Sequence, residues 1–195
     1  MKQKLFLLIL TALWITTAFA QTDRDEIRKN VEVFFKATQQ SDYEKLLDYI
    51  YPKVFETYPK EELLKNMKKM QTDSTFSFSI ENSKIENISD LMEVDGIKYA
   101  LITYSYKMYL TIAMDKNDTE EEKELFNKMM LGMYKNMYGE DNVQYDKKSG
   151  RFIIISTHEM FAIKDPKYKG WKFLEKIPEE ESLKRFIPEE VLEKF

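Results

Sequence analysis

The chain has no cysteine and only one histidine, His158. Without cysteine there is no disulfide framework, no thiol nucleophile, and no lipid attached through a cysteine behind an export signal. The fold must therefore stand on packing alone. Glycine and proline are scarce, five of each. The glycines sit at predicted turns and at one position within a helix. None of the HExxH, GxSxG, GxGxxG or phosphate-loop spacings occurs. There is no excess of positive charge: 30 basic residues face 34 acidic ones, for a net charge of −4. With no basic stripe to neutralise phosphates, nucleic acid is not an expected partner.

Long apolar runs are also missing, apart from Leu5–Thr17. Lys2 and Lys4 precede that run, and Ala18-Phe19-Ala20 follows it as a small-x-small cleavage site. The run is shorter than the roughly 20 residues of a membrane span. Residues 1–20 therefore read as a signal peptide removed after Ala20, leaving 21–195 as one exported domain, periplasmic or secreted, with no membrane span. Removal takes away two lysines and no acid, so the mature domain is more acidic still.

The rest of the chain is organised around Ile97–Met114, a stretch rich in Ile, Tyr, Thr and Leu with no Gly or Pro. Branched and aromatic side chains suit a pleated, half-buried surface, so this is a long strand. It is entered from Leu91–Val94 through Asp95-Gly96, a strong hairpin signal. Upstream, Ile27, Val31, Phe34, Phe35 and Thr38 recur at helical spacing behind Thr22 and Asp23, predicting a helix over 23–39. A second helix over 42–51 follows the Ser41-x-x-Glu44 capping box, and a third starts at Pro59. After Thr72 the period falls to two. Thr75–Ile80 alternates, Lys84–Val94 stays extended with a bend near Asn87–Asp90, and Arg151–Ile163 is a second long strand. Asp118-x-x-Glu121 caps an inserted helix over 118–139 closed by Gly139. Trp171–Ile177 is the last strand. Residues 178–195 form a helical tail that, with the inserted helix, is expected to cover the open side of the sheet.

Helices first and a mainly antiparallel sheet after them make an α+β order. The run Val31-Glu-Val-Phe-Phe-Lys-Ala-Thr-Gln-Gln-Ser-Asp-Tyr-Glu-Lys-Leu-Leu47, a helix meeting a small-Asp-aromatic turn, resembles a nuclear-transport-factor-2-like (SnoaL-like, cystatin-like) domain. Gly170-Trp171-Lys172-Phe173-Leu174 resembles that family's final strand. The resemblance implies a cone: N-terminal helices packed in a curved sheet that encloses a pocket. Some members are isomerases, dehydratases or hydrolases, and many only bind.

Within such a cone the candidates for work are few. By alternation His158 shares a face with Phe152, Ile154, Ser156 and Met160, where an imidazole would act as a base or orient a ligand. The commoner role for such a residue is a hydrogen-bonded sheet histidine. Tyr104 and Tyr106 lie on the apolar face of the central strand, where their hydroxyls would polarise a carbonyl or simply line the core. No partner carboxylate is visible beside them: Ile97–Met114 holds no acid, and Glu159 alternates away from His158. On the inserted helix Met129, Met133 and Met137 stand four apart, with Met130, Tyr134 and Tyr138 alongside. They read as an adaptable ligand surface or, more simply, as the apolar face laid on the sheet. A thioether copper site lacks nearby His or Cys. The stretch from Asp115 echoes a calcium loop but lacks its glycine and final acid.

The sequence therefore predicts an exported, non-catalytic α+β domain, without cofactor or metal. It binds a small apolar ligand or a protein partner over the concave face, through Tyr104, Tyr106, His158, Met160, Met133 and Tyr134. The alternative is a cone-pocket enzyme using His158 and Tyr104. Sheet-to-sheet homodimerisation is a third expectation.

Overall fold

Two long strands, β3 (Ile97–Ile112) and β5 (Arg151–Lys164), run antiparallel from Lys98 opposite Lys164 to Leu110 opposite Phe152. They form the centre of a curved six-stranded antiparallel sheet. The structure is a computed structural model. It describes residues 2–115 and 117–195, with side chains from Gln21 onward except at positions 116 and 180. The side chains of the expected leader, 1–20, lie outside the described residues.

β1 (Phe76–Ile88) and β2 (Met92–Val94) both pair with β3 along one edge. β4 (Val143–Asp146) and β6 (Lys172–Glu175) both pair with β5 along the other. β1 is one strand where the sequence predicts two segments. Its irregularities fall between Glu81 and Lys84 and between Ile85 and Asn87, slightly before the expected bend. The Asp95-Gly96 turn behaves as expected, with both residues at positive φ, 51° and 74°, between paired Val94 and Ile97.

Helix α1 (Lys2–Gln39) extends upstream of the predicted start. Asp23, expected as its cap, lies within it and serves another purpose. Lys98 and Lys164 face each other across the sheet, an arrangement that like charges disfavour. Asp23 takes both ammonium groups, at 2.6 and 2.9 Å, and Lys164 also reaches Glu26 at 2.8 Å. Burial alone would raise the Asp23 carboxyl. The hydrogen bonds and charges of the two lysines outweigh it and hold the group below its ordinary value.

One face of the sheet lies under α1. Ile27, Val31 and Phe35, four apart, meet Ile88, Ala100, Ile102, Tyr104, Met160, Ala162, Trp171 and Phe173. Each large side chain buried here stabilises by about 1.5–3 kcal/mol. Helices α2 (Tyr43–Tyr49), α3 (Val54–Thr57) and α4 (Lys60–Gln71) extend this layer. Ala37, Leu46 and Leu47 pack there with Phe55, Leu63 and Met67. α2 starts from Asp42, whose side chain accepts the Lys45 amide hydrogen, and not from Ser41.

One end of the other face is covered by the tail. Helices α6 (Glu180–Leu183) and α7 (Glu189–Lys194) bring Leu183, Ile187 and Val191 onto Tyr99, Leu101, Phe161 and Ile163. This corrects the expectation that the tail would cap the same side as the inserted helix. With Tyr51 and Tyr168, the tail's apolar residues cover one end of the odd-numbered face of β3 and β5; farther along, Ile155 is exposed.

The inserted helix α5 (Glu120–Tyr138) starts one residue later than predicted, in a capping box of Thr119 and Glu122. Asp118 instead accepts the Asp115 amide hydrogen. None of its residues is buried. Tyr134 packs edge-on against Phe152 at 5.3 Å, and Asn127 donates to the Tyr145 hydroxyl at 2.9 Å. The Met129, Met133 and Met137 stripe faces solvent, 61%, 43% and 65% exposed, with Leu125 in line. The expected packing of that stripe on the sheet is thereby overturned: α5 meets the sheet through Tyr134 and Asn127, on another side of the helix.

Candidate functional site

The register of β3 and β5 sets Tyr104 opposite His158 and Tyr106 opposite Ser156. Opposed residues of an antiparallel pair share a face, so all four project to the side that carries α1. They lie beyond Phe35, whose ring is 5.3 Å from that of Tyr104. Toward the far end of the strands, α5 begins to cover the sheet at Phe152. Tyr104 and Ser156 are buried there, whereas Tyr106 is half-buried and the His158 side chain is 33% exposed.

Their polar atoms converge. Ser156 Oγ and Tyr106 Oη lie 2.8 and 2.9 Å from His158 Nε2. The Tyr106 and His158 rings are nearly parallel, 9° apart with centroids at 5.0 Å. On the other side of the imidazole, Glu175 of β6 puts Oε1 at 3.4 Å from Nδ1. Glu175 Oε2 accepts the Tyr104 hydroxyl hydrogen at 2.8 Å. An Nδ1–H facing Glu175 leaves Nε2 with a single in-plane lone pair, which accepts the hydrogen of one hydroxyl at a time. Burial pushes the Tyr106 phenol up to about 12, helped by the nearby Tyr138 and Glu175. Burial, then the Glu175 charge and hydrogen bond, raises Tyr104 further. Both phenols stay protonated at neutral pH and act as donors.

Of the sequence-predicted residues, the fold gathers Tyr104, Tyr106 and His158. Met160, opposite Ile102, is wholly buried under α1 and fills the core. Tyr134 packs on Phe152, and Met133 belongs to the solvent-facing stripe of α5. Glu175 is the residue the sequence reading missed. Its signal was present: in an alternating last strand it lies two positions beyond Phe173 and so shares that residue's buried face.

Two clefts open on the same face. One, of about 330 Å³, runs between the end of α1, α4 and β1, lined by Thr38, Leu46, Met67, Met70, Phe78 and Ile80. Phe78 and Ile80 pair with Leu110 and Met108, so they are on the face of Tyr106. The other, of about 770 Å³, lies between the first half of α5 and Tyr145 and Lys147, and its rim is charged. Among the described residues no group of three or more His, Asp or Glu side chains is arranged to hold a metal ion, and no helix is long and apolar enough to cross a membrane.

Compared with protein-family models, curated proteins and solved structures, the chain matches none.

Proposed function

We propose that residues 21–195 are an exported, non-catalytic binding domain of the nuclear-transport-factor-2-like kind, released from a signal peptide after Ala20. The α1 face is its hollow, and the ligand is a small amphiphile. The polar end meets Tyr106 and His158, and the apolar body lies in the cleft of Met67, Met70, Phe78 and Ile80. The observation that carries this reading is the shared face. Ile80 opposes Met108, two residues from Tyr106 on the same strand. Two residues along and one strand across is roughly 8 Å, within the span of a short alkyl chain. A neutral head such as a hydroxyl or carbonyl fits better than a carboxylate, because Glu175 already lies beside His158.

The test is a thermal-shift and Trp171 fluorescence series on the mature chain with decanol, decanal and decanoate. The reading expects the neutral compounds to stabilise the fold and decanoate to do so less. Flat responses to all three refute it.

A second reading, an enzyme using His158 and Tyr104, is favoured by one specific observation. Glu175 supplies the carboxylate that such chemistry needs, within reach of both residues.

A further inference from the structure

A hydroxyl, an imidazole and a carboxylate stand next to one another on the α1 face: buried Ser156 Oγ, half-buried His158 and Glu175, separated by 2.8 and 3.4 Å. A nucleophile hydrogen-bonded to a base, and an acid at ion-pair distance on the base's other nitrogen, are the parts of an acyl-transfer relay, which is identified by geometry and not by sequence order. The Tyr106 hydroxyl shares Nε2 with Ser156, yet the two do not compete for the same lone pair. At a centroid distance of 5.0 Å two coplanar rings would collide. Tyr106 therefore lies on the flank of the imidazole and meets Nε2 from the ring face. That leaves the in-plane lone pair to Ser156 and the Tyr106 hydrogen free for another acceptor.

We propose that Ser156, His158 and Glu175 form an esterase relay for small neutral acyl esters, with Tyr106 as the donor to the oxyanion. It rests on the enzyme reading and stands against the non-catalytic one: acetylation at Ser156 removes the latter, and its absence leaves it standing. The Ser156 proton passes to His158 Nε2 as Oγ bonds to the ester carbon, and the carbonyl π pair moves onto its oxygen, an oxyanion to which the Tyr106 hydroxyl donates a hydrogen bond. The ester C–O bond then breaks, and the leaving alkoxide takes the proton from Nε2. Water then bonds to the acyl carbon as Nε2 takes its proton, and that proton passes to Ser156 Oγ as the acyl–Oγ bond breaks, releasing the free acid and restoring the serine. Glu175 is a positioning residue: it holds Nδ1–H and is itself held by Tyr104. Ser156 is only 8% exposed, so the acyl group must be short.

The experiment uses p-nitrophenyl acetate with the mature chain, under acid quench and peptide mass spectrometry. The relay predicts one acetyl group on the peptide carrying Ser156. Ser156→Ala, His158→Gln and Tyr106→Phe each lower kcat/KM by about 100-fold or more. Glu175→Gln lowers kcat about 10-fold or more with KM unchanged, a split that a structural role does not produce. Ser156→Cys, which keeps a nucleophile, is acetylated at the same position. Acetyl groups on lysines only, or a folded Ser156→Ala variant hydrolysing at the parent rate, overturn the relay. Hydrolysis that survives Ser156→Ala but is lost in His158→Gln overturns it while leaving a histidine-based enzyme standing.

Discussion

Glu175 Oε2 accepts the Tyr104 hydroxyl hydrogen at 2.8 Å, reaching across β5 from β6 to β3. The bond ties the sheet edge to its centre and fixes the carboxylate that faces His158. Tyr104→Phe removes it while keeping the ring against Phe35. A hydrogen bond to a charged acceptor contributes about 1.5–3 kcal/mol. Partial exposure of Glu175 argues for the lower end, so urea unfolding of Tyr104→Phe is expected to show a loss of about 1–2 kcal/mol.

Asp23 neutralises two lysines that would otherwise repel across the strands. Asp23→Asn is expected to cost about 1–3 kcal/mol at pH 7. The pH dependence has a definite sign. A carboxyl depressed in the folded state stabilises above its unfolded value, about 3.9, and the contribution fades as pH falls through the folded value. The gap between parent and variant, followed by urea unfolding from pH 7 to pH 2, should therefore be full above pH 5 and close at the acid end.

The tail is part of the core. Ile187 and Val191 are buried against Tyr99, Leu101, Phe161 and Ile163. Ile187→Ala should cost about 2–4 kcal/mol by thermal or urea unfolding.

The outer stripe of α5 carries no packing load. Met129→Lys is expected to change stability by less than about 0.5 kcal/mol. Gly132 lies in the same helix with nothing within 4 Å of an added Cβ, so Gly132→Ala should stabilise by about 0.5–1 kcal/mol. Tyr134→Ala, which strips the contact with Phe152, should cost about 2 kcal/mol. Differential scanning calorimetry of the three variants measures all of this.

The period-two runs and the Asp95-Gly96 turn made the central strands readable, because alternation and a positive-φ turn are local signals. The pairing of Tyr104 with His158 and of Tyr106 with Ser156 is not local, and only the register brings them together. Glu175 belongs to the next strand along, yet only the register that pairs it with Met160 shows that its carboxylate comes beside His158. The methionine stripe misled because helical spacing reports a coherent face without telling which way it turns. Tyr134, one position from Met133, is the residue that met the sheet.

His158 is the chain's only histidine, so its ring gives the sole imidazole signals of the protein. They can be followed without assignment in a ¹H–¹⁵N correlation spectrum of the mature chain titrated with decanol. The account predicts saturable shifts of the His158 ring nitrogens, weakened in Met70→Ser and Phe78→Ser, which change exposed side chains lining the apolar cleft. Ring signals that stay fixed while decanol shifts resonances elsewhere would contradict it.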